Sequence, residues 1–317
     1  MHSLTKILIL QGGFNEEHKV SLNTAKEIAK AFKKLKINFK TLTVNPITFE
    51  DDILKYSNNY ICFNALHGTF GEDGKIQKIL KRNKFKVTHS NQRSSSNCFN
   101  KIKSKEIISK INIATPKYDS IKIRDIDENY LNKIQIKFGK FILKPTSSGS
   151  SNGLVIIKSN KELLLFLKKL KKFKNSFKKN ENFLIEEYIS GKELTVSVFK
   201  NKSNYQPLEV TEIVSYNKTY DYKAKYTKGF AKHFIPARIT KHNYKKCLEL
   251  SLIIHKIFKC NTLSRVDFIL SKKENKIYFL EINSQPGMTK MSLLPEQATF
   301  NKIKFETIVK ELINNSK

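Results

Sequence analysis

Short apolar runs alternate with segments of helical periodicity through the first part of the chain. Residues 6–10 (KILIL) predict a buried strand, and residues 21–35 (SLNTAKEIAKAFKKL) carry apolar positions at helical spacing. Residues 39–44 (FKTLTV) and 60–66 (YICFNAL) predict two further strands. Alternating strands and helices predict a parallel sheet, and ligands bind such sheets at the carboxyl ends of the strands. Functional groups are therefore expected in the loops that follow the strands.

Two of these loops hold constrained polar residues. The first strand runs into residues 11–13 (QGG), whose glycines let backbone approach a ligand. Glu17 follows, and its carboxylate can bind a substrate ammonium or, as an equal alternative, cap the next helix. His67 opens the sequence HGTFGEDG after a later strand. A lone histidine more often makes a local hydrogen bond than catalyses a reaction, and both interpretations stay open.

The middle of the chain combines a possible phosphate loop with a basic helix. Residues 139–158 (GKFILKPTSSGSSNGLVIIK) predict two strands around a serine- and glycine-rich loop, and Lys144 ends the first strand. Such a loop can offer N–H groups and hydroxyls to phosphates, although the pattern GxxxxGK[ST] is absent and an ordinary hairpin turn is the alternative. Residues 161–179 predict one amphipathic basic helix covering a sheet face, with membrane or nucleic-acid binding as the alternative.

Two later segments are candidates for nucleotide binding. Glu186, Glu187 and Glu193 surround a short connection between two predicted strands, where they can accept hydrogen bonds from a base and a ribose or form a solvated turn. Residues 216–238 form a long aromatic and basic loop without regular periodicity, which is typical of a lid or of disorder. A helix is predicted from about His242 to Phe258, after this loop.

Residues 263–283 predict a hairpin with a polar face. Alternation places Arg265 and Asp267 on one face of its first strand, and Glu281 and Asn283 on one face of its second. If these faces coincide, the last three residues converge as oxygen ligands. Two carboxylates about 4 Å apart repel by roughly 4 kcal/mol at an effective dielectric near 20, which favours a bound cation, and hard oxygen donors suit Mg²⁺. A solvated edge hairpin is the alternative.

Composition adds charge and compartment. The chain has 317 residues, which favours two or three domains, and the polar stretch THSNQRSSSNCFN suggests a domain boundary. Its 59 Lys+Arg against 28 Asp+Glu give a net charge of +31, but the lysines are dispersed, which favours a solvated surface over a nucleic-acid or membrane partner. Four cysteines without CxxC spacing and no membrane-length apolar run predict free thiols and a cytoplasmic protein.

Several motifs in order carry a family resemblance. The segments ALHGTFGEDG, LKPTSSGSSNG, YDYKAKY and SRVDF followed by LEINSQPGMTKMSLLP resemble the bacterial D-alanine–D-alanine ligases of the ATP-grasp superfamily, almost end to end. The resemblance implies an α/β protein with an N-terminal parallel-sheet domain (residues 1–93) followed by a two-domain ATP-grasp fold of α+β type. The central domain would span residues 94–186, and the C-terminal domain, with the lid loop and metal site, residues 187–317.

The resemblance also implies a reaction and its ligands. ATP would phosphorylate the carboxylate of one D-alanine, and the amine of a second D-alanine would attack the acyl phosphate, giving D-alanyl-D-alanine for peptidoglycan. The implied cofactors are ATP and two Mg²⁺ or Mn²⁺ ions. The expected assembly is a homodimer with two D-alanine molecules as its substrates, and neither a nucleic acid nor a membrane is an expected partner.

Individual roles follow from the matching motif positions. The metal ligands agree with the hairpin argument and would be Asp267, Glu281 and Asn283. The residues implied in catalysis are Glu17, Ser150, Tyr226, Arg265 and Gly287. Those implied in binding the amino acids are Val20, His67, Ser292 and Leu293. Those implied in binding ATP are Lys101, Lys144, Ser151, Glu186, Glu187, Tyr188, Ile189, Glu193 and Lys225.

Some positions depart from the family pattern. Residues 147–148 are a serine pair where many members carry Arg-Glu, Gln285 stands where serine is usual, and residues 88–91 (THSN) replace a glycine-containing segment. Ser148 and Gln285 are expected to tune affinity without altering the chemistry, whereas His89 and Asn91 are expected to change how the first two domains meet. Tyr226 favours an amine as second nucleophile, because relatives that make D-alanine–D-lactate generally replace the tyrosine-centred lid.

Overall fold

The N-terminal sheet is parallel, as the alternation of strands and helices predicts. The computed structural model describes residues 6–149, 152–215 and 231–317. Within them the first sheet has the strand order β2-β1-β3-β4, and all of its pairings are parallel. Its strands are β1 (Lys6–Gly12), β2 (Phe39–Val44), β3 (Tyr60–Asn64) and β4 (Lys86–Val87). The helices between them are α1 (His18–Lys34), α2 (Phe49–Leu54) and α3 (Lys75–Arg82).

A second, antiparallel sheet follows two short helices. The helices are α4 (Gln92–Phe99) and α5 (Lys101–Ser109). The sheet has the order β5-β8-β6-β7. Its strands are β5 (Tyr118–Lys122), β6 (Phe141–Pro145), β7 (Val155–Ile157) and β8 (Asn182–Glu187). Between the strands lie a 3₁₀ turn (Ile123–Asp125) and three helices, α6 (Glu128–Phe138), α7 (Asn160–Leu167) and α8 (Leu170–Asn175).

A third sheet holds the polar hairpin. It is antiparallel with the order β11-β10-β9-β12-β13. Its strands are β9 (Gly191–Asn201), β10 (Asn204–Ser215), β11 (Ala231–Phe234), β12 (Leu263–Ser271) and β13 (Ile277–Asn283). Helix α9 (Lys241–Ile257) confirms the helix predicted before the hairpin, and α10 (Leu293–Phe300) and α11 (Phe305–Asn314) end the chain.

The C-terminal helices pack against the N-terminal sheet. Leu312 and Ile308 of α11 share one buried apolar cluster with Phe32 of α1 and Phe63 of β3. Val87 and Lys317 also exchange two backbone hydrogen bonds, at 2.9 and 3.2 Å. The same cluster includes Leu263 at the start of β12, so the hairpin β12–β13 is held against the N-terminal sheet. The predicted domain boundaries remain a proposal.

The prediction of a single basic helix over residues 161–179 is wrong. Helix α7 ends at Leu167, and α8 begins at Leu170 and ends at Asn175. The chain bends between them, and Phe173 and Phe177 pack edge-on against Phe183 of β8, with ring centroids 5.7 and 5.0 Å away. Aromatic burial on the sheet therefore outweighs the continuous helical pattern.

The state of the cysteines agrees with the expectation from composition. The four cysteines are free and buried, which confirms the expectation of free thiols. Among the helices of the described ranges, none is long and apolar enough to cross a membrane.

The polar stretch after β4 is packed: Thr88 and Ser90 are buried, and α4 lies against β13.

Candidate active site

Two loops at the carboxyl ends of β1 and β3 are tied together by Asn15. Its amide donates to the carbonyl oxygens of His67 and Thr69, at 2.8 and 3.0 Å, and its side-chain oxygen accepts the Glu17 N–H at 2.9 Å. Glu17 is the residue just before α1, is 7% exposed, and its side chain makes no capping hydrogen bond. The capping alternative for Glu17 therefore finds no support, and its carboxylate lies beside the His67 loop.

His67 is buried between two polar partners. Its Nδ1 lies 3.1 Å from Glu72 Oε1, and its Nε2 lies 2.9 Å from Thr24 Oγ1. Burial would lower the pKa of His67, but Glu72 and Glu17 outweigh it and raise that pKa above its usual value. Burial also raises the pKa of Glu72. The histidine is thus a fixed, polarised group at the end of the strand.

The polar residues of the two hairpin strands lie opposite one another. Arg265 lies opposite Asn283, and Asp267 lies opposite Glu281, before a bulge that follows Asp267. Residues directly opposite in an antiparallel pair have Cβ atoms about 4.5–5.5 Å apart, so the two carboxylates are neighbours. The predicted coincidence of the two polar faces is confirmed.

Protein cations already accompany these carboxylates. The Arg265 guanidinium donates to both oxygens of Asp267, at 2.9 and 2.8 Å, and Thr195 Oγ1 donates to the same residue at 2.6 Å. Lys101 Nζ lies 3.5 Å from Glu281 Oε2. Charge repulsion between the carboxylates therefore does not by itself require a metal. In the described part of the chain, no group of three His, Cys, Asp or Glu side chains is arranged for a metal, so the predicted set depends on the Asn283 amide oxygen.

The turn after the hairpin brings backbone close to a hydroxyl. A Cβ atom added to Gly287 would lie 2.8 Å from Ser292 Oγ, so only glycine fits there without a shift. Ser292 Oγ also accepts the Thr289 N–H at 3.0 Å. Gln285 connects this turn to the N-terminal sheet. Its Nε2 donates to the Leu66 carbonyl at 2.6 Å, and its Oε1 accepts a hydrogen bond from the Asn64 amide at 2.9 Å. Gln285 is thus a buried bridge between two parts of the site.

The described residues of the loop after β6 lie against the same region. Lys101 Nζ donates to the Ser148 carbonyl at 2.8 Å, and Asn152 donates to Glu16 at 2.8 Å. A side chain at Gly149 would collide with the Glu17 carboxylate, so the absence of Cβ lets the loop backbone approach it. Ser150, Ser151, Lys225 and Tyr226, which the resemblance assigns to catalysis or ATP, lie outside the described residues.

Two adjoining cavities collect most of the candidate residues. The first has a volume of about 100 Å³, and its lining includes Glu17, His67, Lys101, Arg265, Glu281, Asn283, Gly287, Ser292 and Leu293. The second has a volume of about 220 Å³, and its lining includes Lys101, Lys144, Glu186, Glu187, Tyr188, Ile189, Glu193, Arg265, Asp267, Glu281 and Leu293. Val20 is buried on α1 and belongs to neither lining, so its role in substrate binding stays a prediction.

A buried charge cluster backs the second cavity. The Glu186 carboxylate pairs with Lys144 and, at 2.8 Å, with Lys105 Nζ. Burial by itself would raise the pKa of Glu186, but the two lysines outweigh it and bring that pKa down to about 2. Burial lowers the pKa of Lys105 in spite of its carboxylate partner. Glu186 is therefore an ionised acceptor at the end of β8.

Sequence reasoning did not assign Glu72, Thr195 or Lys105. Glu72 stands in the motif that contains His67, and Lys105 lies four residues after Lys101, on the same face of α5. Those two spacings are signals that were available in the sequence. Thr195 lies on β9 and meets Asp267 across the sheet, so only strand pairing reveals its contact.

Known proteins resemble this chain over its whole length. A family model described as D-ala D-ala ligase C-terminus matches residues 107–314. A D-alanine–D-alanine ligase of Wolbachia pipientis wMel is 40% identical over 98% of this chain and 94% of its own, and one of Pelagibacter ubique is 39% identical over 98% of each. The crystal structure of the Bacillus anthracis D-alanine–D-alanine ligase complexed with ATP has a TM-score of 0.78 and 26% identity, covering 98% of this chain and 97% of that chain. The chain therefore belongs to the D-alanine–D-alanine ligase family, with its ATP-grasp fold.

Proposed function

We propose that this protein joins two D-alanine molecules to D-alanyl-D-alanine for peptidoglycan, with ATP converted to ADP and phosphate. The observation that carries the proposal is the shared wall of the two cavities, where Lys101, Arg265 and Glu281 line both. A nucleotide in the second cavity and an amino acid in the first would meet at that wall. The names of the relatives support D-alanine as the substrate and ATP as the phosphoryl donor.

The proposed reaction has two steps at this wall. The γ-phosphoryl group moves to the carboxylate of the first D-alanine, and Lys101 and Lys144 supply positive charge to the phosphates. The amine of the second D-alanine then attacks the acyl carbon and loses a proton. The bond from the acyl carbon to the phosphate oxygen breaks, and phosphate leaves. Such transfers need positioning and charge neutralisation more than covalent help from the protein.

The first cavity would hold both amino acids. We assign the ammonium of the first D-alanine to Glu17, beside the polarised His67, and the carboxylate of the second to Ser292. The tetrahedral intermediate would place its oxyanion between the Arg265 guanidinium and the Gly287 N–H. Removing one such donor typically costs about 10²–10³ in turnover. The family resemblance also implies a hydrogen-bond network that links Ser150 and Tyr226 to Glu17, and we include it in the proposal.

Asp267, Glu281 and Asn283 fit a hard divalent cation by the chemistry of their oxygen donors. Two carboxylates and an amide leave coordination positions for phosphate oxygens. Mg²⁺ or Mn²⁺ held there would neutralise phosphate charge. Arg265 and Lys101 are the present counter-charges of Asp267 and Glu281, so we propose that the cation lets both side chains turn to substrate anions.

We also propose that the protein is cytoplasmic, because its free cysteines suit a reducing compartment, and that it forms a homodimer. Sedimentation equilibrium of the purified protein tests the assembly. A monomer across the working concentration range would exclude the dimer.

The purified protein is expected to release phosphate only when ATP, Mg²⁺ and D-alanine are all present. Mass spectrometry of the products, with D-alanine, D-serine and D-lactate competing, should show mainly D-alanyl-D-alanine. No stimulation of phosphate release by D-alanine would exclude the proposed reaction. A predominant mixed dipeptide or depsipeptide would change the second substrate but keep the chemistry. Duplex DNA binding that falls steeply with salt would instead support the nucleic-acid alternative.

Glu17→Gln is expected to raise the KM for the first D-alanine about 10–100-fold, since a hydrogen bond between charged groups contributes about 1.5–3 kcal/mol. The turnover number should change much less. Steady-state kinetics over a wide D-alanine range separates the two parameters. Glu16→Gln is the matched control, because Glu16 is exposed and belongs to neither cavity lining. Unchanged D-alanine kinetics in Glu17→Gln would remove its proposed role.

A further inference from the structure

Lys105 is a fully buried lysine that the proposed reaction does not use. It lies on α5 one turn after Lys101, and its side chain is 0% exposed. Lysine is almost never fully buried unless it is paired. Lys105 does not line the second cavity, whereas Lys101, Lys144 and Glu186 all do. Its ammonium group therefore lies behind the wall of the second cavity, and a function for this charge has to be found there.

The Glu186 carboxylate has one lysine on each side. One oxygen contacts Lys144, which lines the cavity, and the other lies 2.8 Å from Lys105, which is behind the wall. Glu186 is only 1% exposed, so its carboxylate depends on these two lysines to offset the cost of burial. If Lys144 turns towards phosphate, Lys105 is the counter-charge that stays with the carboxylate.

Contacts away from the cavity hold Lys105 in place. Its Nζ donates to Thr115 Oγ1 at 2.6 Å, and that hydroxyl donates to the Phe279 carbonyl of β13 at 3.0 Å. The ammonium also lies 5.5 Å from the centre of the Tyr118 ring, within range of a cation–π contact. None of these contacts involves Lys144, so the position of Lys105 does not depend on where Lys144 points.

We propose that Lys105 is a positioning and specificity-determining residue for the nucleotide. It neutralises Glu186 from the side away from the cavity. This carboxylate therefore remains an acceptor for the adenine amino group while Lys144 binds phosphate. The inference rests on the proposed function and on the expectation from the sequence that Glu186, which lines the second cavity, accepts a hydrogen bond from the base of ATP. Lys105 acts through Glu186 and does not touch the nucleotide.

The base that the site prefers follows from this arrangement. An ionised carboxylate only accepts hydrogen bonds, so it favours the 6-amino group of adenine over the 6-carbonyl group of hypoxanthine. Burial acts to raise the pKa of Glu186, and Lys105 is one of the two charges that oppose it. Without Lys105, a carboxyl whose other lysine is engaged by phosphate would take up a proton and could donate to a carbonyl. Discrimination between ATP and ITP would then shrink.

Lys105→Met removes the charge and keeps a long apolar chain. Calorimetric binding of ATP and ITP to the purified full chain should show ATP affinity reduced about 10–100-fold and ITP affinity reduced much less, so their ratio contracts at least about tenfold. Turnover at saturating ATP should change little. Lys103→Met is the matched control, because Lys103 is exposed on the same helix and lines neither cavity. Equal losses for both nucleotides, or no loss, would overturn the proposal in favour of a purely structural pair.

Lys144→Met tests the same idea from the other side of Glu186 and does not require a Lys105 variant to fold. With Lys105 in place, ATP and ITP affinities should fall by the same factor and their ratio should persist. Loss of the ratio in this variant would overturn the role of Lys105. A wild-type protein that prefers ATP to ITP but makes no dipeptide would contradict the proposed function alone, and one without that preference would contradict the inference alone.

Discussion

Arg265→Ala is expected to lower the turnover number about 10²–10³-fold while the KM values for ATP and D-alanine change much less. Arg265 lines both cavities, and its guanidinium reaches both oxygens of Asp267 through N–H groups. In the proposed reaction negative charge develops on the tetrahedral intermediate beside this group. An interaction that strengthens as that charge forms contributes to the transition state more than to substrate binding.

Arg238→Ala is the matched control for this loss. Arg238 also holds a carboxylate through two N–H groups, both 2.9 Å from Glu212 of β10 in the same sheet, but it lines neither cavity. Steady-state kinetics of both purified variants, with thermal unfolding to verify the fold, makes the comparison. A near-normal turnover number for Arg265→Ala, or an equal loss in Arg238→Ala, would contradict the proposed role of Arg265.

Strand alternation predicted the pair of polar residues within each strand of the hairpin, but not the bulge that brings the two pairs together. The register that places Arg265 opposite Asn283 and Asp267 opposite Glu281 depends also on the bulge after Asp267, because continuing the pair Phe268–Phe279 without a bulge would place Leu280 opposite Asp267. The parallel N-terminal sheet was predictable for a similar reason, because each apolar run is followed by a segment of helical spacing. Both features come from patterns among residues that are close together in the sequence, so the sequence alone is able to reveal them.

Contacts between distant segments were not predictable in this way. Lys105 meets Glu186 from 81 positions away, and Gln285 meets Asn64 from 221 positions away, so neither pairing leaves a periodic signal. The break between α7 and α8 also depends on a tertiary contact, since Phe173 and Phe177 need Phe183 as a packing surface. The sequence therefore predicts which faces are polar better than it predicts which partner neutralises each charge.

Those partners give the joined cavities a common electrostatic arrangement. Arg265 pairs with Asp267, Lys101 with Glu281, and Lys144 with Glu186. In each pair a cation assigned to a substrate anion is held by a carboxylate assigned to a metal ion or to adenine. Anionic substrates and a divalent cation can therefore replace the internal partners together. Such an exchange avoids leaving a buried charge unpaired, which is the costly outcome for a site of this kind.

Glu281→Gln tests this exchange at the hairpin and is expected to raise the Mg²⁺ concentration for half-maximal activity about 100-fold or more. Changes in the residues that only support metal ligands already cost about 10–100-fold, and a ligand charge should cost at least as much. The fold should survive, because the change removes like-charge repulsion opposite Asp267, which costs about 0.2–1 kcal/mol, as well as the Lys101 pair. Unfolding free energy should therefore stay within about 1 kcal/mol of the parent.

Two measurements separate a metal ligand from a general charge effect in Glu281→Gln. Mn²⁺ binding followed by electron paramagnetic resonance should weaken in parallel with the Mg²⁺ requirement for activity. Glu274→Gln provides the control, since Glu274 is an exposed residue in the turn of the same hairpin and lies outside both cavities. If Mn²⁺ affinity is unchanged in Glu281→Gln, or falls equally in Glu274→Gln, the hairpin carboxylate does not bind the metal. The polar face would then serve only to pair with Arg265 and Lys101.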